Sequence, residues 1–328
     1  MAVPANLFDS YEAVGIREDI SDLIYNIAPV ETPFISAVAT SKATQRQHFW
    51  QIDGLPTVNG TSSLLAEGDE IALKVNNSPF TGGTALRGNY TQINGVAFGV
   101  SGSEEASSKY GRDSEMAYLS AKFGRWLKRE VEFGCTGLNQ AAAVGDGVGV
   151  ARSTAPMAAW LTSNVARNGL GVNPTLLSGI PNAGAGDGAT RPLTIALIDG
   201  VMQTAYTNGG KPSLMLMGPS QRTKFSALDG VAPRRIDASE RRTMGVSDLY
   251  ASNFGDLVVV TTRHIRQTLA VDRELYLIDP EMVAVANFRP WQQFDLAKTS
   301  DTFRRQMLTE WALEMRNEAA HGVVAELN

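Results

Sequence analysis

The chain has 328 residues, of which 43% are hydrophobic and 19% charged, a composition typical of a packed globular protein and unlike that of a disordered chain. Its 29 basic residues against 34 acidic ones give a net charge of −5, so the total charge gives no indication of a nucleic-acid binder. A single cysteine, Cys135, excludes an internal disulfide framework, fits a reducing cytosol and is expected to be a small buried residue.

The N-terminal residues MAVPANLFDSYEAV lack the basic start and continuous apolar core of a signal peptide. No run of about 18 apolar residues follows anywhere in the chain. We therefore expect a cytosolic protein without a membrane span.

Residues 1–45 contain short apolar groups separated by helix breakers. A short helical stripe that Pro29 ends is formed by Ile16, Ile20, Leu23, Ile24 and Ile27. Pro33 then places Phe34 in an extended turn. This segment is too small to form a core of its own, so we expect it to lie along another surface.

From Gln45 to Val100 the hydrophobic period changes to two. The stretches RQHFWQID and NYTQINGVAFGVS predict two strands, and the residues between them are polar and glycine-bearing. The pattern indicates a large hairpin with a long, irregular tip. Connections of this length are usually functional or mobile, so we expect the tip to become ordered against another surface.

Asp113 is a favourable N-cap for the clearest helix of the chain, and Glu115 lies in its first turn. An apolar stripe that continues to about Phe133 is formed by Met116, Leu119, Phe123, Trp126, Leu127 and Val131. The helix has some 20 residues and a length of about 30 Å, and we expect the stripe, including Trp126, to be buried.

Residues 134–190 are rich in Gly, Ala and Asn and predict loops around one short helix in PMAAWLTSNVA. Helices are predicted near 194–207, where NGG ends the first, and near 221–228. Strands are predicted at LMLMG, LVVVTT, LYLID and VAVANF. Strands mixed with helices over about 100 residues indicate a compact α/β or α+β domain.

The segment Asp301–Glu318, DTFRRQMLTEWALEMRNE, fits two periods. Met307, Trp311 and Met315 recur every four residues, as on a helix face, while most apolar residues also fall on odd positions, as in a strand. A strand of this length would greatly exceed the ordinary five or six residues. Periodicity alone leaves both structures open.

Motifs for catalysis or cofactor binding are weak. Gly145, Gly147 and Gly149 lack the preceding strand and following helix of a dinucleotide-binding loop, and GGKPS has Pro212 where a phosphate loop needs Ser or Thr. The three histidines lie far apart, and Ser220 in GPSQR lacks the second glycine of a nucleophile elbow. We expect no cofactor, no metal and no enzymatic activity.

Two charged segments have alternative interpretations. The carboxylates of Glu67, Asp69 and Glu70 could perform acid–base chemistry but more often form a solvated face. The segment 222–242 is locally basic and includes Arg234 and Arg235, yet it lacks interleaved aromatic residues for base stacking. A salt-bridged surface or a subunit contact is therefore favoured there.

Several stretches resemble the major capsid proteins of tailed bacteriophages. YEAVGIREDISDLIYNIAPVETPF resembles the N-terminal arm motif of one branch of that family, and SSKYGRDSEMAYLSAKFGRWLKREVE resembles its spine helix. GVARSTAPMAAWL is a less close match to a further motif, and RPWQQFDLAKTSDTFRRQMLTEWALEMRNEAAHG resembles the C-terminal segment. The resemblance spans nearly the whole chain.

This resemblance implies the α+β shell fold named after phage Hong Kong ninety-seven. The implied parts are an N-terminal arm at 1–45, an extended hairpin loop at 46–100, a peripheral domain at 101–190 and 291–328 with its spine helix at 113–134, and an axial domain at 191–290. In that fold the closing segment is a long strand beside the spine helix, so we predict a strand over Asp301–Glu318. Candidates for structural or inter-subunit contacts are Phe34, Trp50, Glu67, Glu70, Arg87, Trp126, Arg129, Arg234, Arg235 and Trp311.

The function implied by the resemblance is a shell protein that assembles into the pentamers and hexamers of an icosahedral phage head enclosing double-stranded DNA. Such a protein belongs to the virion capsid and is assembled in the bacterial cytoplasm. The expected partners are further copies of the chain, a separate scaffolding protein and a portal, with a decoration protein as a further candidate. The packaged DNA would lie in the lumen without sequence-specific binding, and no membrane is involved.

Two alternatives remain open at the level of sequence. An encapsulin-like compartment shares the shell fold and differs in its cargo. An α/β enzyme built on residues 190–290 is the other, although no nucleophile, base or metal ligands converge in the sequence.

Overall fold

The computed structural model describes residues 32–54, 64–70, 84–109, 111–228, 236–237, 242–243, 249–268, 271–298 and 300–328. The helical stripe predicted between Ile16 and Ile27 and the candidates Arg234 and Arg235 lie outside these residues. Most of the expected hairpin tip lies outside them as well.

The described residues form α-helices and three short 3₁₀-helices. The α-helices are α1 (Pro33–Ala37), α2 (Gly102–Ala106), α3 (Glu115–Thr136), α4 (Ile195–Thr207) and α5 (Pro219–Ser226). The 3₁₀-helices are Met157–Ala159, Pro280–Met282 and Glu318–Ala320. Of the short helix predicted in PMAAWLTSNVA, only the turn Met157–Ala159 forms.

The described strands are, in chain order, β1 (Ala39–Lys42), β2 (Gln47–Ile52), β3 (Ala85–Tyr90), β4 (Gln92–Ser101), β5 (Val165–Ala166), β6 (Thr175–Leu177), β7 (Ile180–Ala183), β8 (Leu214–Met217), β9 (Ile236–Asp237), β10 (Arg242–Thr243), β11 (Leu249–Ser252), β12 (Gly255–Thr261), β13 (Gln267–Thr268), β14 (Val271–Asp272), β15 (Leu275–Ile278), β16 (Val283–Asp295), β17 (Thr302–Met315) and β18 (Gly322–Val324).

A four-stranded sheet has the order β1-β16-β17-β4, with β1 parallel to β16 and the other pairs antiparallel. Its central strand β17 has 14 residues, so the prediction of a strand over Asp301–Glu318 is confirmed. The four-residue recurrence that suggested a helix is satisfied by the strand as well, because positions four apart also share one strand face. From Thr309 to Met315 every residue of β17 is buried.

Helix α3 has 22 residues and packs against β4 and β17. Its apolar contact joins Phe98, Val100 and Met116, with Phe123 stacked on Phe98 at 5.1 Å between ring centroids. The helix begins and ends two positions later than the predicted range 113–134. Ser114 is its N-cap instead of Asp113, because the Ser114 hydroxyl accepts the N–H of Ala117.

Trp126 is 40% exposed, so the prediction that it belongs to the buried stripe is wrong. Leu127 and Val131 are the buried residues of this part of α3. Successive helix positions point about 100° apart, so Trp126 and Leu127 cannot both face the sheet. The line of contact passes through Leu127 towards Cys135, which is fully buried as predicted, and leaves Trp126 on the flank.

A six-stranded sheet has the order β11-β12-β8-β15-β18-β5. Every residue of β8 and β15 is buried because both faces of this sheet are covered. Leu214 and Leu216 face the core shared with the four-stranded sheet, whereas Met215 and Met217 face α4 and α5. The helices and strands predicted in this region are confirmed in type and approximate position.

The last strand departs from the expected course of the chain. The resemblance implied a return through the peripheral sheet, and β17 follows it, but β18 pairs with β15 and β5 in the six-stranded sheet. Residues 165–166 and 322–324 therefore complete a sheet whose other strands lie within 191–290.

The predicted hairpin consists of β2 and β3, paired from Gln47 with Tyr90 to Ile52 with Ala85. Strand β4 pairs with β17, so the hairpin strands end at Tyr90 and not at Val100. Among the described helices, none is both long and apolar enough to cross a membrane.

Candidate assembly surfaces

The described end of the N-terminal arm is anchored on its own chain. Both oxygens of Glu132, in α3, accept backbone N–H groups of α1, from Phe34 at 2.8 Å and from Ile35 at 2.9 Å. Phe34 and Val38 are buried, and β1 pairs with β16. Burial raises the pKa of Glu132, and the two hydrogen bonds oppose that rise. From Thr32 onwards, the surface along which the arm lies is therefore the body of its own chain.

The base of the hairpin is tied to β17 by Glu314. Its carboxylate accepts hydrogen bonds from Ser41 in β1, from His48 in β2 at 3.2 Å and from Arg316 at 3.1 Å. Burial alone would raise the pKa of Glu314, but the bonds from His48, Ser41 and Arg316 outweigh burial and lower it to about 2. One buried carboxylate thus connects arm, hairpin and sheet.

Glu310, four residues earlier on β17, forms a second polar connection. It binds the guanidinium groups of Arg152 at 2.6 Å and Arg289 at 2.8 Å, and it accepts the hydroxyl of Thr91 at 2.7 Å. Thr91 is the single residue between β3 and β4. This cluster fixes the point where the hairpin leaves the four-stranded sheet.

Three of the predicted candidates lie inside or at the base of the folded body. Trp311 is buried, donates its indole N–H to Asn94 at 3.0 Å and lies against Gly134 of α3. Trp50 is half-buried and packs on Trp160 at 5.4 Å between ring centroids. Phe34, described above, belongs to the same core. These residues stabilise the subunit itself.

Arg87 lies on β3 directly opposite Trp50 and is half-buried. It is therefore placed at the hairpin, on the strand that continues into β4.

The solvent side of α3 carries a cationic–aromatic stripe, formed by Lys122, Arg125, Trp126, Arg129 and Phe133. Trp126 is 40% and Phe133 38% exposed, although both are large apolar side chains. Within the part of the chain that the structure describes, no carboxylate forms an ion pair with the cations of this stripe. The predicted candidates Trp126 and Arg129 thus lie on the same side of α3, where Trp126 is exposed and Arg129 half-buried.

The described part of the hairpin tip is an acidic–leucine segment, residues 64–70. Leu64 is 73% and Leu65 55% exposed, and the carboxylates of Glu67, Asp69 and Glu70 follow them in exposed positions. Its chemistry, apolar followed by acidic, is complementary to that of the cationic–aromatic stripe.

The glycine loop at 145–149 has its N–H groups occupied internally. The carboxylate of Asp146 accepts the N–H groups of Val148, Gly149 and Val150 at 2.7–2.9 Å, and these bonds, from Gly149, Val150 and Val148, lower its pKa to about 2. A phosphate would have to displace this carboxylate. The side chain of Asp146 therefore stabilises the conformation of its own loop.

Ser220 is held by a structural contact at the start of α5. Its N–H and hydroxyl both donate to Asp272, at 2.8 and 2.7 Å. His264 and His321 lie on different elements, and no group of three or more potential metal ligands occurs among the described residues.

Sequence reasoning missed Glu132, Glu310 and Glu314, the carboxylates that hold arm and hairpin in place. Each is an acidic residue at a position where its own helix face or strand is otherwise buried. An acidic residue that interrupts a buried stripe is the sequence signal that could identify such contacts.

The fold is shared with solved phage capsid structures. The capsid of a native GTA particle has a TM-score of 0.62 at 11% identity, covering 97% of this chain and 98% of that one. Gordonia phage Cozz gives 0.60 at 11% identity, covering 98% and 96%. Mycobacterium phage Cain gives 0.59 at 14% identity, covering 97% and 98%.

Sequence comparison agrees with the fold. The major capsid protein of Escherichia phage Phieco32 is 31% identical over 136 residues, which cover 40% of this chain. The match spans 36% of that protein's length, about a third. Residues 4–328 match the profile of the SU10 major capsid protein family. The chain therefore belongs to the SU10 major capsid protein family.

Proposed function

We propose that copies of this chain form the pentamers and hexamers of an icosahedral phage head that encloses double-stranded DNA. The proposal keeps the division into arm (1–45), hairpin (46–100), peripheral domain (101–190 and 291–328) and axial domain (191–290), with the short strands β5 and β18 added to the axial sheet. The family match over residues 4–328 supports a shell-forming protein.

The observation that carries the assembly mechanism is the complementarity of two exposed surfaces. The acidic–leucine segment offers leucines and carboxylates, and the cationic–aromatic stripe offers Trp126 and Phe133 beside three cations. Contact between these surfaces on neighbouring copies would remove apolar area from water and pair the charges. Each such contact is modest, but a closed shell repeats it at every subunit.

Charge reversal tests this contact. We expect the double variant Arg125→Glu, Arg129→Glu to lose closed particles, because its stripe then repels the carboxylates of Glu67 and Glu70. Adding Glu67→Arg and Glu70→Arg should restore particles. Sedimentation velocity and negative-stain microscopy measure both outcomes.

Lys211→Glu is the control, since Lys211 is an exposed cation outside α3 and its reversal leaves the stripe and Glu132 unchanged. It should assemble as the wild type does. Normal particles from the Arg125→Glu, Arg129→Glu variant would contradict the proposed contact, as would a failure of the compensating reversal to restore assembly.

The remaining partners follow from the same proposal. A separate scaffolding protein and a portal would act during assembly in the bacterial cytoplasm, and a decoration protein is a further candidate on the finished virion. The net charge of −5 fits a container whose wall does not hold the DNA tightly. Co-purification of tagged chain with the other head proteins from infected cells tests these partners.

A further inference from the structure

Strand β4 is the outer strand of the four-stranded sheet and has a long free edge. It has ten residues, pairs with β17 without a register shift, and contains neither proline nor a charged residue. Natural monomers protect such edges with charge, proline, bulges or short length. None of these protections is present on β4.

The other edge strands of the four-stranded and six-stranded sheets are short. β1 has four residues and ends in Lys42, β11 has four residues, and β5 has two. Among the edges of these two sheets, β4 is therefore the one that is long, regular and uncharged. The edge of β4 is therefore the candidate for pairing with a further strand.

The hydrogen-bond pattern shows which groups of β4 face outward. Gly102 donates its N–H to the carbonyl of Asp301, which makes Ser101 and Thr302 a non-hydrogen-bonded pair of the ladder. Consistently, a Cβ at Gly99 would lie 3.0 Å from the carbonyl oxygen of Phe303. Pairs of this kind alternate along the ladder.

It follows that Gly95, Ala97 and Gly99 direct their N–H and C=O groups away from β17. All three residues are exposed, and their backbone groups have no partner among the described residues. Their small side chains, a hydrogen or a methyl group, project from the face of the sheet and leave room there for the side chains of a paired strand.

We propose that the free edge of β4 pairs through its main chain with an extended segment of a second copy of this chain. The inference rests on the proposed function and names a contact that shell assembly would use. The absence of charged residues on β4 fits a protein strand and not a nucleic acid, which would need cations. The edge also continues directly from β3 of the hairpin through Thr91, so it adjoins the surface already proposed to contact neighbours.

Ala97→Pro tests the pairing, because it removes an outward N–H without removing a bond to β17. Ala97→Val is the matched control, since it enlarges the side chain and keeps the N–H. We expect Ala97→Pro to lower the yield of closed particles about ten-fold or more relative to Ala97→Val. Equal yields from the two variants would overturn the proposal.

Residue-resolved hydrogen exchange on the wild type gives a test that does not depend on a variant folding. The amides of Gly95, Ala97 and Gly99 should exchange freely in unassembled protein and about 100-fold more slowly in particles. Those of Val96 and Phe98 should be protected in both states. Free exchange of the outward amides within particles would overturn the pairing, whereas particle formation itself reports on the proposed function.

Discussion

Glu132 illustrates how single buried carboxylates position the arm. Its two oxygens accept two backbone N–H groups of α1, from residues 98 and 97 positions away in sequence. Replacing it by glutamine would turn one acceptor into a donor that faces an N–H group. The interruption of a buried stripe could identify Glu132 itself, but its partners could not be predicted from local sequence, because only the complete fold brings them together.

We expect Glu132→Gln to lower the free energy of unfolding by roughly 1–3 kcal/mol, because a buried donor is left without an acceptor. Urea denaturation measures the loss. Glu130→Gln, at a partly exposed position of the same helix, is the control. A Glu132→Gln protein as stable as this control would contradict the anchoring role.

His321 predicts how stability depends on pH. It is fully buried, its Nδ1 accepts the N–H of Asp279, and its Nε2 donates to the carbonyl of Met282 at 3.2 Å. Burial lowers the pKa of His321 to about 4, although the carbonyl of Met282 and the carboxylates of Asp279 and Glu318 oppose that shift. The neutral ring therefore connects residues 279–282, between β15 and β16, to the segment that leads into β18.

Because the folded pKa lies below the ordinary value of about 6.5, the unfolded chain binds the proton more readily. The contribution of His321 to the free energy of unfolding is fully present above pH 6.5. It is lost as the pH decreases to about 4, which lowers the free energy of unfolding by up to about 3 kcal/mol. His321→Asn keeps an acceptor for Asp279 and does not titrate, so its stability should fall less steeply over this interval. Denaturation curves at several pH values test this, and identical slopes would contradict it.

At the scale of elements, hydrophobic period predicted the helices and strands well where one face is buried. α4 and β12 lie close to their predicted positions for this reason, whereas β8 and β15, buried on both faces, are marked by short continuous apolar runs. The hydrophobic period could not distinguish a helix from a strand for β17. Every residue from Thr309 to Met315 is buried, so no exposed polar face marks the period there. The resemblance to a known fold made that choice.

Trp126, which the sequence analysis assigned wrongly to the buried stripe, gives a prediction for α3. Trp126 lies on the flank of the helix and is 40% exposed, whereas Leu127 is completely buried. We expect Leu127→Ala to lower the free energy of unfolding by about 2–5 kcal/mol and Trp126→Ala to lower it by less. Thermal or urea denaturation of the unassembled protein compares them. A larger loss of stability for Trp126→Ala than for Leu127→Ala would show that Trp126 contributes to the core after all.

At the scale of the whole molecule, the chain combines a well-packed body with surfaces that its described residues leave uncovered. The two sheets share one core, and the arm from Thr32 onwards is part of that body. The acidic–leucine segment, the cationic–aromatic stripe and the edge of β4 are the exposed features. Their roles depend on neighbouring copies, which is why sequence and fold of one chain indicate them only through their chemistry.

The arm defines where a truncation should end. Deleting residues 1–31 preserves Phe34 and the contacts of Glu132, so we expect a folded protein with nearly unchanged thermal stability. We propose that residues 1–31 connect neighbouring rings of subunits, which we call the lashing role of the arm. Without them the protein should form soluble rings or monomers and no stable shells. Deletion to Val38 should instead unfold the body, because it removes buried residues. Stable closed particles from the 1–31 deletion would contradict the lashing role.

Electron microscopy of the wild-type protein, expressed in bacteria with the neighbouring phage head proteins, tests the central claim most directly. We predict closed icosahedral particles in which rings of five and six copies are resolved, with residues 64–70 of one copy against α3 of the next. A protein that stays monomeric under these conditions, with its hairpin and residues 1–31 folded onto its own body, would contradict the account.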